Sequence, residues 1–261
     1  MISALVFVFF ILGSIIGSFL NVVILRYNTG RTFGGRSGCM VCHHTLSPLE
    51  LVPIFSFIFL KGRCQHCQTK ISAQYIVVEF LTGLVFAGLF LKFQDLFFFE
   101  TFIFTVTYAY YAMMFSLLMV IAVYDLKHKI IPDLLSFFFG LLAFVGIFFF
   151  DSFSFAPHTP SILEMLSGVF LALPFALTSI LSKGTWMGMG DAKLAIGLGY
   201  LLGISRASSG VVVAFWSGAL VGLVLLSFSK KYGMKSAIPF APFLIFGTII
   251  AFIFELHLFG F

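Results

Sequence analysis

Eight runs of apolar residues, most of them near twenty long, dominate this 261-residue chain, at about residues 2–25, 75–91, 98–123, 134–150, 161–181, 192–204, 210–228 and 238–258. A helix needs about 20 such residues to cross a hydrocarbon core. The chain is therefore expected to be an all-α polytopic membrane protein of about eight transmembrane helices. Charged residues make up 10% and mean hydropathy is +1.12, which excludes an ordinary water-soluble domain, where about a quarter of residues are charged. The run at 192–204 is the shortest and holds Gly197, Gly199 and Gly203, a composition that suits close helix packing. The run at 51–60 is broken by Pro53 and bounded by Glu50 and Lys61. It is too short to cross and reads as the core of a small domain or as an interfacial segment.

No positive charge precedes the first run and Arg26 follows it, so it reads as an anchor with its N-terminus outside rather than as a cleaved signal. Alternating eight spans from that start places Arg26, Arg31, Arg36, Lys61, Arg63, Lys70, Lys127, Lys129, Lys183, Lys193, Lys230, Lys231 and Lys235 in the cytoplasm. Only Lys92 and Arg206 fall outside. Thirteen of the 15 basic residues on one face is the asymmetry of the positive-inside rule. The net charge of +5 is thus a topology signal and needs no nucleic-acid partner. No internal repeat, low-complexity linker or phosphate-binding loop is visible.

One sizeable polar stretch, residues 26–74, separates the first run from the second. It holds all 4 cysteines as Cys39-x-x-Cys42 and Cys64-x-x-Cys67, the two-knuckle spacing of a tetrahedral four-thiolate zinc site. Disulfides are the competing reading, disfavoured by a reducing cytoplasm. Four thiolates leave no open coordination position, so the zinc role is structural. A polar segment of this size buries too little surface to fold alone, and metal would supply much of its folding free energy. His43, His44 and His66 could replace a thiolate, and they also read as ordinary polar residues of a small domain.

Of the 10 acids, Asp95, Glu100, Asp151, Glu164 and Glu255 fall at outer loops or helix ends, and Glu50 in the cysteine-bearing segment. Glu79, Asp125, Asp133 and Asp191 remain at the cytoplasmic edge of the spans. Asp133 follows Pro132 where a helix starts, a position that favours an acid. Asp125 ends the third run, where the helix dipole disfavours negative charge and nothing structural calls for an acid. Asp191 lies in Gly188-Met189-Gly190-Asp191, with glycines that admit close backbone approach; helix N-capping is its structural alternative. Lys193 is two residues on, about 200° around a helix, and so is no partner for Asp191. Asp125 and Asp191 share one side and one depth. Such a pair can share a proton and activate water against a carbonyl, or bind a cation in an ion-coupled transporter.

The order and spacing of several motifs resemble the bacterial type IV prepilin peptidases, over nearly the whole chain. The carrying residues are Gly17-Ser-Phe-Leu-Asn-Val-Val23, the two CxxC pairs, Ile71-Ser-Ala-Gln-Tyr75 with Glu79, Asp125 with Ile131-Pro-Asp133, and Gly190-Asp-Ala-Lys-Leu194. The Gly188-Met-Gly-Asp191 element is also similar to the GxGD signature of presenilin-type intramembrane aspartyl proteases. By that resemblance residues 1–25 form the first transmembrane helix, 26–74 a cytoplasmic zinc-binding subdomain and 75–261 a membrane aspartyl peptidase domain. Asp125 and Asp191 are then the catalytic pair, acting on prepilins or pseudopilins at the cytoplasmic face of the bacterial inner membrane. The resemblance implies cleavage after a leader-terminal glycine. It also implies N-methylation of the new terminus with S-adenosylmethionine, whose binding residues it does not identify. Met40, Ile76 and Lys127 depart from residues common at those family positions, and none of them belongs to the proposed pair. Glu79 reads either as a helper at the site or as a buried structural acid.

Overall fold

The computed structural model describes residues 2–30, 32, 34–228 and 238–258; Arg31, Lys230, Lys231 and Lys235, used above to assign topology, lie outside them. Among the described residues there are helices α1 (Ile2–Arg26), α2 (Phe55–Phe59), α3 (Gln74–Phe99), α4 (Thr101–His128), α5 (Asp133–Gly146), α6 (Ile162–Leu181), α7 (Met189–Phe228) and α8 (Ala241–Ile253). A 3-10 turn spans Pro48–Leu51, and strands β1 (Phe150–Asp151) and β2 (Ser154–Phe155) form a two-residue antiparallel hairpin. Five helices, α1, α3, α4, α6 and α7, are long and apolar enough to cross a membrane; α5 and α8 are shorter apolar helices. The chain divides into two compact units, Met1–Gln94 and Asp95–Phe261, and α3 bends at Phe93 beside that boundary.

In the first unit α1 and α3 pack through residues without bulk. A methyl on Gly17 would lie 2.8 Å from the Glu79 Cα, and one on Gly83 would lie 2.6 Å from the Ser14 hydroxyl. Without a hydrophobic drive between helices in lipid, such close approach is what holds them together. Asn21, on α1, donates from Nδ2 to the Tyr75 carbonyl at 3.1 Å, which ties the ends of the two helices where the cysteine-bearing segment is inserted.

The second unit settles how the runs at 192–204 and 210–228 relate. Both lie in α7, a 40-residue element interrupted at Gly203, whose φ of 73° and ψ of 164° leave the helical region as only glycine does cheaply. Going from residue 189 to 202, α7 runs antiparallel to α6: Thr178 bonds the Met187 sulfur, and Ser167 donates to the Gly199 carbonyl at 2.9 Å. Beyond Gly203 the chain comes back, because Phe215 stacks with Phe175 at 6.4 Å, level with the middle of α6. α7 is therefore a helical hairpin with two limbs, and the two expected spans are both present. With it, and leaving aside the five-residue α2, the described residues contain eight apolar helical segments.

Two spans are shorter than expected. The fourth ends at Gly146, against the Tyr110 hydroxyl, and Phe150 opens the β hairpin instead of closing a helix. The last is confined to Ala241–Ile253. Hairpin connections place Lys127, Lys129, Lys183 and Lys193 at one end of this unit and Arg206 at the other, the split that the charge asymmetry predicts.

Candidate active site and metal centre

Asp125 and Asp191 come together at the end of the second unit that bears its lysines. Asp125 sits near the C-terminus of α4, four residues before Lys129, whose left-handed backbone closes the helix by bonding the Asp125 carbonyl at 2.7 Å. Its side chain is 5% exposed and accepts the backbone N–H of Ala241, the first residue of α8. The expectation that nothing structural calls for an acid here is corrected: the positive end of α8 offsets the negative end of α4. Phe115 meets Phe252 at 5.0 Å, so α8 runs antiparallel to α4 and delivers its N-terminus to this carboxylate.

Asp191 lies in the first turn of α7, not ahead of it, since the helix begins at Met189. It is therefore not the N-cap residue itself, although an acid at this third position can cap the helix by reaching back to the N–H of the residue before the helix. Its carboxylate accepts the Gly188 N–H and interacts electrostatically with that of Asp125. It is 8% exposed, and its Oδ1 has no protein hydrogen-bond partner. A buried, unpartnered carboxylate oxygen is a cost that structure alone does not explain. Ile131 explains the glycine before it: a methyl on Gly190 would lie 3.0 Å from the Ile131 Cβ, so the α4–α5 link closes over this turn. Lys193 points elsewhere, donating to Asp133 at 2.6 Å across 60 residues, a pairing that the sequence reading did not foresee for either residue.

In the first unit the four cysteine sulfurs converge, all within 4.8 Å of one another. Cys39 and Cys67 are 3.7 Å apart and Cys42 and Cys64 4.0 Å; a tetrahedron with zinc–sulfur bonds of about 2.3 Å has edges of about 3.8 Å. All four are free thiols, so the donor set fits zinc and the disulfide reading fails. The histidines do not join it: His44 and His66 lie against each other at 3.6 Å, tilted by 37°.

The two knuckles are copies in backbone terms. Cys39 N–H bonds the His44 carbonyl at 2.9 Å and Cys64 N–H the Thr69 carbonyl at 2.9 Å; His43 N–H returns to Cys39 and Gln68 N–H to Cys64, both at 3.0 Å. His43 and Gln68 have φ of 56° and 57°, and bridges Gly38↔Thr45 and Arg63↔Lys70 close each turn. A repeat is thus present where none was visible, because only the cysteine spacing is shared between the two stretches. The thiols are not equivalent. The Thr69 hydroxyl and N–H pull Cys67 down to about 6. At Cys42 the His44 N–H has the same sense, but desolvation and the three neighbouring sulfurs outweigh it and leave that thiol at about 11. A cation is what allows all four to be thiolates at once.

Glu79 belongs to the first unit. Its Oε2 accepts the Ile54 N–H at 2.7 Å and the carboxylate also accepts the Ser18 hydroxyl. Both bonds hold the fold of that unit, which favours the structural reading of this acid.

Comparison with known proteins decides the kinship. The Bacterial Peptidase A24 N-terminal domain matches residues 11–93, and the Type IV leader peptidase family matches residues 112–260. The chain belongs to the type IV leader peptidase family. A Bacillus subtilis relative named prepilin leader peptidase/N-methyltransferase is 30% identical over 95% of this chain and 93% of its own length. Relatives of the same name from Myxococcus xanthus and Pectobacterium carotovorum are 32% and 29% identical, over 87% and 93% of this chain and 65% and 91% of theirs. No solved structure matches. The family match to residues 112–260 contains both aspartates and the helix end that meets Asp125, while the N-terminal match contains the four cysteines and Glu79. The helix start at Ala241 is the part of the site that sequence reasoning missed; Pro239-Phe-Ala-Pro242 was the available signal, since proline is favoured in a first turn.

Proposed function

We propose that this enzyme cleaves the leader peptides of type IV prepilins or pseudopilins with Asp125 and Asp191 as an aspartyl dyad, and methylates the new N-terminus. The observation that carries the dyad is the meeting of two buried, electrostatically interacting carboxylates from α4 and α7, one of them with an unpartnered oxygen. In the proposed reaction one carboxylate takes a proton from a water molecule as that water attacks the carbonyl carbon of the scissile peptide. The other, protonated, gives its proton to the carbonyl oxygen. The tetrahedral intermediate, a gem-diol, then collapses: one of its hydroxyls returns a proton to the second carboxylate as the C=O bond reforms, the C–N bond breaks, and the proton taken from water passes from the first carboxyl to the leaving amine. One water is consumed and both carboxyl groups return to their starting state.

Cys39, Cys42, Cys64 and Cys67 would hold a zinc ion as a structural crosslink between the two knuckles. The methyl donor implied by the second activity is S-adenosylmethionine, and its binding residues stand unassigned. The clustered lysines support a multi-pass arrangement in the bacterial cytoplasmic membrane, with the dyad opening to the cytoplasm where a leader peptide resides. Incubating the purified protein with a prepilin tests the reading. Wild type should release the leader and yield a product one methyl group heavier by mass spectrometry in the presence of the donor. Full cleavage by Asp125→Asn or Asp191→Asn would remove that carboxylate from the mechanism.

A further inference from the structure

The segment at residues 51–60 is short, apolar and not a core. Phe55, Ile58 and Phe59 fall on one face of α2 and are 54%, 58% and 81% exposed, and Leu49 just before it is 81% exposed. Phe57, on the other face, packs against Gly62 in the turn leading to the second knuckle, where an added methyl would lie 2.9 Å from its ring. The metal-binding end of the unit thus grips α2 from one side and turns its apolar side outward. The helix is set off from the chain at both ends by residues of positive φ: Ile54 at φ 63° and ψ −54°, the centre of a turn closed by the Phe55 N–H on the Pro53 carbonyl at 2.6 Å, and Lys61 and Gly62 at φ 50° and 65°. For a β-branched residue such as Ile54 this backbone is a genuine outlier and persists only where its surroundings impose it.

What imposes it is Glu79. Its Oε2 holds the Ile54 N–H at 2.7 Å, and Glu79 is five residues into α3, about 8 Å along the helix from its first residue at 1.5 Å per residue. On α1, Ser18, the second partner of Glu79, lies eight residues before Arg26, about 12 Å in by the same rise. Both α1 and α3 are apolar enough to span. The start of α2 is therefore pinned about 8 Å along α3 from its first residue and level with a point about 12 Å inside the Arg26 end of α1, while exposed Lys61 and Arg63 follow at its far end.

We propose that α2 is an interfacial wedge whose partner is the lipid bilayer itself, with Phe55, Ile58 and Phe59 among the acyl chains of the leaflet at the Arg26 end of α1 and Lys61 and Arg63 at its phosphates. An apolar face this exposed marks an interaction surface, and flanking cations beside an apolar helical face are the signature of interfacial helices that favour acidic lipid. The buried carboxylate of Glu79 serves as the anchor that holds the wedge at depth, and the knuckle at Gly62 sets its orientation.

The full chain carrying Phe59→Trp, with Trp186→Phe and Trp216→Phe to remove background, is reconstituted in vesicles of neutral and acidic phospholipid and checked for prepilin cleavage. Lipid brominated near the glycerol end of its acyl chains should quench the emission of the introduced tryptophan about twofold, because such helices lie about 5–10 Å into the headgroup boundary, while aqueous iodide quenches it little. Strong iodide quenching without bromolipid quenching would overturn the proposal. So would an emission shielded from iodide only after prepilin is added, which would make the substrate's apolar helix the occupant. A second variant, Ile58→Trp in the same background, carries the test should Phe59→Trp not fold, with the same outcomes deciding.

Discussion

Four cysteine sulfurs meet within a segment whose farthest ligands are 28 residues apart, each pair presented by a turn that its own neighbours close. The two aspartates meet only because three helices end at one place: α4 brings Asp125, the hairpin limb of α7 brings Asp191, and α8 supplies the N–H that receives Asp125. The first centre is local and repeated; the second is assembled over more than a hundred residues and has no internal copy. A local centre can be broken without dismantling its surroundings, whereas a centre made from helix ends stands or falls with the packing that aligns them. The two should therefore differ in what destroys them.

The largest effect is expected at the assembled centre. Asp125→Asn and Asp191→Asn keep volume and hydrogen-bonding capacity yet remove the acid–base function, and each should lower prepilin cleavage by at least 10²–10⁴-fold, the usual worth of such a group. Circular dichroism should be unchanged. The next largest is at the local centre. Zinc in knuckle peptides is worth about 10–16 kcal/mol of apparent binding, so Cys64→Ser or a strong chelator should make residues 36–72 sensitive to limited proteolysis while fragments carrying α4 to α8 stay protected. Protection throughout after metal loss would mean that the knuckles hold without it.

A smaller effect probes the packing behind the dyad. A methyl on Gly199 would meet the Gly168 Cα and the Ser167 carbonyl oxygen at 2.6 Å, backbone atoms that cannot swing aside. Gly199→Ala should cost about 1–3 kcal/mol as an overpacked contact and lower the melting temperature in detergent, with cleavage falling in step as α7 shifts. Glu79→Ala should cost a comparable 1–3 kcal/mol by leaving the Ile54 N–H without its partner. Its signature is different: enhanced proteolysis at residues 52–60 rather than a displaced dyad, with Glu79→Gln largely restoring protection through its carbonyl oxygen.

Legibility in the sequence divides along the same line as the two centres. The spans, the charge asymmetry and the CxxC spacing are periodic or local, and they read directly from residue order. Even the glycines of the run at 192–204 pointed to close packing, which Gly199 realises against α6. What was not legible depends on partners distant in the chain. The N–H of Ala241 at Asp125, the Asp133–Lys193 pair and the return of α7 at Gly203 each join residues whose proximity is set by tertiary packing. The repeat of the knuckles was hidden for another reason: it lives in backbone hydrogen bonds, and its side chains, His43 and His44 against Gln68 and Thr69, are unlike. The shortness of α5 was masked by composition, since Phe148, Phe149 and Phe150 prolong an apolar run past the residue where the helix stops.

The smallest expected effect separates the dyad from its neighbours in sequence. Lys193 is two residues from Asp191, yet its ammonium bonds Asp133 at 2.6 Å, with the two side chains 47% and 75% exposed. An exposed pair of this kind is worth about 0–1 kcal/mol, so Lys193→Met or Asp133→Asn should slow cleavage by no more than about fivefold, since 1.4 kcal/mol corresponds to tenfold. The cause would be a looser α4–α5 link, with Ile131 less firmly seated over Gly190. The reversed pair, Asp133→Lys with Lys193→Asp, should recover part of the loss but not all of it, because a lysine at 133 meets the positive N-terminal end of α5 and an aspartate at 193 stands two residues from Asp191. Raising salt should erase the difference between wild type and single variants, as screening does for exposed charges. A hundredfold loss in Lys193→Met that salt does not touch would instead place Lys193 in contact with the reacting groups, and the centre would have to be redrawn as a dyad with a cation.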